Sequence, residues 1–151
     1  MEVQSYQQRA VPVPLRLLVP GLVVLLALYA VLPVMMTVDR AATGASIMRN
    51  TPALSPADLD VAVAAALAYT IVLHVVSAVL ALWFTLKTVR GRRWARIALT
   101  AFLVLLTLGS LNSVTAGAEY LWAVISTDAV QLAMIALLWL PASARRFFAA
   151  G

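Results

Sequence analysis

Four long runs of apolar residues, separated by short polar segments, dominate the pattern of this chain. A helix needs roughly 20 apolar residues to cross a hydrocarbon core about 30 Å thick. The runs that approach or exceed this length are residues 17–38, 61–86, 97–115 and 121–140. The pattern therefore predicts an all-α, polytopic membrane protein with four transmembrane helices in an antiparallel bundle.

Polar segments divide the chain around these runs. We predict a short N-terminal tail at 1–16, a four-helix transmembrane domain at 17–141, and a basic, aromatic tail at 142–151 that lies at the membrane interface. Ser55 is placed to cap the second span, with proline in its first turn. Residues 39–51 are expected to form an irregular loop.

The composition supports a membrane protein. With 64% hydrophobic and 11% charged residues, the chain has too little polar surface to cover a water-soluble globule. Four spans leave no room in 151 residues for a separate soluble catalytic domain. The chain has no cysteine, which excludes disulfides and thiolate chemistry. The first run is longer than the roughly 7–15-residue core of a cleaved signal peptide, so we interpret it as a span.

Basic residues are concentrated on one side of the predicted membrane. Nine of the eleven lie in the two tails and the loop at 87–96, whereas the opposite loops are net acidic. Because short loops rich in Lys and Arg remain in the cytoplasm, both termini and this loop are predicted to be cytoplasmic, in a plasma membrane. Topology accounts for the net charge of +5, so no nucleic-acid partner is predicted.

The loop between the second and third spans holds the densest basic cluster. Its members are Lys87, Arg90, Arg92, Arg93 and Arg96. This cluster fixes topology, and it also suits attraction of anionic lipid headgroups. The two roles are compatible.

The candidate functional residues of this sequence are the polar residues inside the spans. A charged group in hydrocarbon costs at least about 2.5 kcal/mol, so Asp128, the only carboxylate in a span, should face protein or water. With about 1.5 Å of rise per residue, Asp128 and His74 lie at nearly the same depth, as do Ser110 and Asn112 in the third span. Gln131 follows Asp128 on the same helix face. These five residues form the predicted site, with His74 as the expected partner of Asp128.

The predicted polar cluster has two interpretations. It can be a proton or cation site, in which Asp128 takes up the proton and His74 tunes it. It can equally be a set of hydrogen bonds that holds helices together, since such contacts are common between spans. With one histidine and no cysteine, no metal or cofactor is predicted.

Small residues recur every four positions in the third span, at Gly109, Ser113 and Gly117. This spacing produces a groove in which another helix can approach closely. We expect it to seat a neighbouring helix of the same chain, the alternative being a dimer face.

Two segments resemble a known group of proteins. GRRWARIAL at 91–99 and LLWLPASARRFF at 137–148 resemble small four-span proteins of high-GC actinobacteria, which have an RWAR-type start to the third span and an LLxLPxS ending. The resemblance covers most of the chain. It implies a plasma-membrane location, assigns no activity and transfers no functional residue.

Three functional classes follow. The first is a non-enzymatic accessory or interaction subunit, in a homo-oligomer or a larger membrane complex. The second is a small proton- or cation-coupled transporter that works as a homo-oligomer with Asp128 as its protonatable site. It resembles the four-span multidrug type, although that type carries its carboxylate in the first span. The third, an enzyme or haem protein, has only one histidine to support it.

Overall fold

The structure, a computed structural model, describes residues 10–114 and 120–149, with backbone alone for 111–114, and these residues are helical apart from short connections. The helices are α1 (Val13–Arg16), α2 (Leu18–Val38), α3 (Arg40–Asn50), α4 (Leu59–Val89), α5 (Arg93–Val114), α6 (Leu121–Trp139) and α7 (Ala142–Ala149). A 3-10 turn at Pro56–Asp58 leads into α4.

Four helical segments are long and apolar enough to cross a membrane, as the sequence predicts. They are Val13–Val38, Pro56–Val89, Arg93–Ser110 and Leu121–Trp139. Only 11–22% of the residues in their apolar stretches are buried in protein. Most apolar side chains of the spans therefore face outward, which is stable in lipid and unstable in water. The chain is a multi-pass membrane protein by these criteria.

The four spans form a ring of neighbours. Helix α2 packs against α4 and α6, and α5 packs against the same two helices, whereas the diagonal pairs make few or no contacts. Only residues 90–92 join α4 to α5, so these two helices run antiparallel. Gly91 makes this turn possible because its φ of 80° is a left-handed conformation that other residues rarely adopt.

Residues 39–51, expected to be irregular, are helical from Arg40 to Asn50. The Asp39 Oδ1 atom accepts a hydrogen bond from the Ala42 backbone N–H at 2.9 Å and so caps this helix, α3. The segment is too polar to span the membrane, and its helical structure depends on contacts with α4 and with the start of α6. The hydroxyls of Thr43 and Tyr120, for example, are 3.2 Å apart.

The predicted cap at Ser55 is confirmed, since its Oγ accepts a hydrogen bond from the Ala57 backbone N–H at 3.2 Å.

The C-terminal segment forms a helix of eight residues, which is longer than the short turn expected at the membrane interface. Helix α7 packs against α1 and α6, with Ala144 and Phe148 buried. This contact makes the end of the described chain part of the bundle.

The buried apolar core lies in the half of the bundle that contains the start of α5 and helix α7. Its aliphatic members in the spanning helices include Leu18, Leu22, Leu25, Leu99, Leu103, Met134 and Leu138. These residues come from the first half of α2, the first half of α5 and the second half of α6. The opposite half of the bundle is less densely filled, and the candidate site lies there.

Candidate functional site

A cavity of about 570 Å³ lies between α2, α4, α5 and α6 in the half of the bundle remote from Arg93, Arg96 and Arg145. We call it the intramembrane groove. Its apolar lining includes Leu28, Leu32, Leu73, Leu105 and Leu106, and its polar lining includes Tyr29, Tyr69, His74, Ser77, Ser110, Thr127 and Gln131. It opens sideways between α4 and α5, where Tyr69 is 69% and Leu105 is 68% exposed.

Gln131 connects three of the helices around the groove. Its Oε1 atom accepts a hydrogen bond from the Thr107 hydroxyl at 2.6 Å, and its Nε2 donates to the Tyr29 hydroxyl at 3.2 Å. Only 1% of Gln131 is exposed, so these bonds form away from water. Because Tyr29 uses its oxygen as the acceptor, its own hydroxyl hydrogen remains available to a molecule in the groove.

Asp128 lies behind the groove wall, one hydrogen bond from the cavity. Its Oδ2 atom is 2.7 Å from the Ser110 Oγ, and Ser110 lines the groove. The second carboxyl oxygen, Oδ1, is buried and has no hydrogen-bond partner among the described residues. A buried oxygen without a partner is uncommon, and it leaves Asp128 short of neutralising contacts.

The Ser110 hydroxyl has two possible acceptors and one hydrogen. Its Oγ is 2.7 Å from the Thr107 carbonyl oxygen and 2.7 Å from Asp128 Oδ2. If the carboxyl group carries a proton on Oδ2, it can donate to Ser110 while Ser110 donates to Thr107. Without that proton, Ser110 must divide its hydrogen between two acceptors. The hydrogen-bond pattern at Asp128 therefore changes with the proton on this group.

His74 faces the groove but does not contact Asp128 in the way the sequence predicted. Its Nδ1 atom lies 2.7 Å from the Thr70 carbonyl oxygen, one turn earlier in α4. Since a carbonyl oxygen only accepts, Nδ1 is the donor, and Nε2 of the neutral ring is left as an acceptor. The ring also meets Tyr29 edge-on, with centroids 5.7 Å apart. The first partner of Asp128 is Ser110, not His74.

Most of the predicted cluster nevertheless lies together. His74, Ser110 and Gln131 line one cavity, and Asp128 joins it through Ser110. The side chain of Asn112 lies outside the described residues. The sequence reasoning missed Tyr29 and Thr107, whose hydroxyls complete the Gln131 network. A buried tyrosine in the middle of an otherwise apolar first span was the signal for Tyr29.

Of the predicted small-residue stripe, the structure describes the surroundings of Gly109 alone, and no neighbouring helix of this chain packs there. The alternative, a dimer face, stays a prediction. A Cβ atom built on Gly109 would meet nothing within 4 Å, so Gly109 seats no neighbouring helix of this chain and instead leaves space in the groove. Ser113 and Gly117 lie outside the residues with described side chains. The close approach occurs at Gly21 in α2, where a Cβ would lie 3.2 Å from Met134 Cγ in α6.

The basic cluster is divided between the surface and the bundle. Arg90 and Arg92 are exposed and Lys87 is half-buried at the end of α4, as expected of residues that mark topology. Arg96 is only 9% exposed, and its Nη2 donates to the Leu138 carbonyl oxygen at 2.8 Å. Arg93 and Arg96 therefore make structural contacts that topology alone does not require.

No group of three or more His, Asp or Glu side chains that could hold a metal ion occurs within residues 10–114 and 120–149. No protein-family model, no curated protein and no solved structure matches this chain. Inference about its function therefore rests on the groove and the residues around it.

Proposed function

We propose that this protein is a non-enzymatic plasma-membrane protein that binds one small amphipathic amine in the intramembrane groove. The observation that carries the proposal is the groove itself, with apolar walls, a sideways opening between α4 and α5, and a carboxyl group behind Ser110. Its volume of about 570 Å³ falls within the roughly 300–1,000 Å³ of small-molecule sites.

The chemistry of the groove favours an amine as the polar end of the ligand. His74 Nε2 and the Ser110 oxygen can accept hydrogen bonds, and the Asp128 carboxyl group lies behind Ser110 with its Oδ1 unsatisfied among the described residues. Charge interactions strengthen where water is excluded, so an ammonium group near Ser110 gains more than a hydroxyl group would. Leu28, Leu32 and Leu105 suit an alkyl chain that enters from the lipid.

The leading expectation from sequence, an accessory or interaction subunit, stays a prediction. The groove supports a small ligand better than a partner helix, because its volume matches the former and a transmembrane helix would make contacts along a much longer surface. A ligand-binding role remains compatible with membership in a larger complex.

Asp128→Asn tests the amine directly. The probes are two dansyl-labelled molecules of equal chain length, one ending in an amine and one in an alcohol, titrated into the purified protein in detergent. We expect the wild type to bind the amine about tenfold more tightly than the alcohol, since a charge-assisted hydrogen bond is roughly twice as strong as a neutral one. Asp128→Asn should remove this preference and leave alcohol binding unchanged. Equal binding of both probes by the wild type would contradict an amine site.

A second candidate, proton- or cation-coupled transport, is favoured by one observation, the position of the Ser110 hydroxyl 2.7 Å from both the Thr107 carbonyl oxygen and Asp128 Oδ2. The same variant distinguishes transport from binding. In vesicles with an imposed pH gradient, a transporter should show proton flux in the wild type and none in Asp128→Asn. An absence of flux in both leaves binding as the function.

The proposed orientation has both termini and the turn at Gly91 in the cytoplasm. It is supported by the nine-to-two distribution of basic residues. A cysteine at Gly91 would be strained by the positive φ, so we choose Ser143→Cys at the C-terminal end and Ala53→Cys in the opposite loop, both exposed. In intact cells an impermeant maleimide should label Ala53→Cys at least about tenfold more than Ser143→Cys. The reverse pattern would invert the orientation.

A further inference from the structure

A second cavity, of about 460 Å³, lies at the opposite end of the bundle from the intramembrane groove. We call it the arginine cavity. It lies where α5 begins, α6 ends and α7 packs. Its lining is Arg93, Arg96, Ile97, Trp139, Arg145, Phe148 and Ala149.

Three arginines line this cavity, and no carboxylate of the described residues faces them. None of its lining residues is acidic. The described acidic residues lie elsewhere, at Asp39, Asp58 and Asp60 near the other end of the bundle and at Asp128 in the opposite half. Arg145 is close enough to Arg96 for their like charges to oppose each other. An anion between them would remove this repulsion.

Arg96 presents a donor that the protein leaves unsatisfied. Its guanidinium carbon lies 3.7 Å from the centroid of the Trp139 ring and 4.9 Å from that of Phe148, and Nη2 is bound to the Leu138 carbonyl oxygen. Its Nε is buried and has no acceptor among the described residues. Since a buried charged donor without an acceptor is costly, an acceptor supplied from outside would stabilise this site.

The walls of the cavity are held in place before any ligand binds. Arg93 donates from Nε to the Phe148 carbonyl oxygen at 2.5 Å and from Nη2 to that of Ala149 at 2.7 Å, which fixes the C-terminal end of α7. The Trp139 indole N–H donates to the Thr100 hydroxyl at 2.8 Å. The Arg145 side chain makes no hydrogen bond to the described residues, so its five guanidinium N–H donors are available to a ligand.

We propose that the arginine cavity binds the phosphate group of an anionic lipid, with Arg145 and Arg96 as its principal ligands. Guanidinium groups match the geometry of phosphate oxygens and bind them through paired hydrogen bonds. The cavity lies at one end of the spanning helices, beside the exposed apolar surfaces of Trp139 and Ile97. A lipid can therefore place its phosphate there while its acyl chains remain among apolar side chains. A soluble phosphate shares this chemistry but lacks the apolar contact.

Arg145→Gln tests this site because it removes a cavity charge without removing a hydrogen bond of the folded protein. The matched control is Arg146→Gln, which removes the same charge from the next residue of α7, one that does not line the cavity. Purified protein in uncharged detergent is titrated with phosphatidylglycerol, with phosphatidylcholine of equal chain length, and with inorganic phosphate. Bound lipid is counted by native mass spectrometry.

We expect one phosphatidylglycerol to bind the wild type at least about tenfold more tightly than phosphatidylcholine. Arg145→Gln should weaken phosphatidylglycerol binding by about tenfold, Arg145→Lys by about threefold or less, and Arg146→Gln by less than about threefold. An equal loss in Arg145→Gln and Arg146→Gln would show only diffuse attraction and overturn the site. Inorganic phosphate that binds as tightly as the lipid would overturn the lipid as the source of the phosphate.

Discussion

Replacing Gly21 by leucine is expected to destabilise the bundle by about 2 kcal/mol or more, the largest stability loss that we expect from one substitution outside the polar network. At Gly21, α2 lies close against α6, since even a Cβ atom would lie 3.2 Å from Met134 Cγ and 3.6 Å from its sulfur. Met134 is 1% exposed and packed among core leucines, so it has little space to move.

The expected loss of stability in Gly21→Leu arises from the way helices associate in a membrane. Lipid tails are as apolar as leucine, so spans associate through close packing and hydrogen bonds more than through removal of apolar surface from water. A leucine at Gly21 would separate α2 from α6 and so weaken contacts along both helices. Unfolding in mixed micelles with increasing SDS, followed by circular dichroism, measures the effect.

Gly109→Leu is the matched control for this stability prediction. The substitution is the same, it also falls in a spanning helix, and a Cβ at Gly109 meets nothing within 4 Å. Because leucine is a better helix former than glycine, Gly109→Leu should be as stable as the wild type or slightly more stable. Equal stability of Gly21→Leu and Gly109→Leu would contradict the assigned packing.

These two glycines also illustrate how far the sequence can be interpreted. The number and approximate limits of the spans follow from hydropathy, because a helix must be apolar over about 20 residues to cross the bilayer. The face that each helix turns inward does not follow. Helix α2 is almost uniformly apolar around its axis, so no periodic signal distinguishes the protein-facing side of Gly21 from the lipid-facing side.

The sequence predicted how deep in the membrane the polar residues lie, but it did not predict which of them bond to each other. Equal rise along each helix placed His74, Ser110 and Asp128 at nearly the same depth. His74 and Ser110 line the groove, and Asp128 is hydrogen-bonded to Ser110. The partner of each side chain depends on helix rotation and on local alternatives. His74 bonds to the Thr70 carbonyl oxygen of its own helix, and this contact requires no other helix. The spacing of residues in the sequence does not show whether His74 bonds to this carbonyl oxygen or to Asp128.

Helix α3 was missed for a related reason. Residues 40–50 are mixed in polarity and contain Gly44, which is unfavourable in an isolated helix. In the folded protein Gly44 lies against Leu59 and Val63 of α4, where an ideal Cβ would be 3.6–3.8 Å from their methyl groups. Tertiary contact and the Asp39 cap stabilise this helix, and neither is visible as a hydropathy signal.

Filling the intramembrane groove is the second large effect we expect and the most direct test of the proposed function. Gly109→Leu adds four carbon atoms to a wall that faces open space beside Ser110. The matched control is Ala101→Leu, an enlargement at an exposed position of the same helix, α5. Binding of the dansyl-labelled amine is measured by energy transfer from tryptophan in purified wild-type and variant proteins.

The account predicts that the wild type and Ala101→Leu bind the amine saturably, with one molecule per chain. Gly109→Leu should bind it at least about tenfold more weakly while its unfolding midpoint in SDS is unchanged or raised, because the added side chain occupies the space of the ligand and disturbs no packed contact. If Gly109→Leu binds the amine as tightly as Ala101→Leu does, the ligand lies elsewhere and the groove is not the binding site.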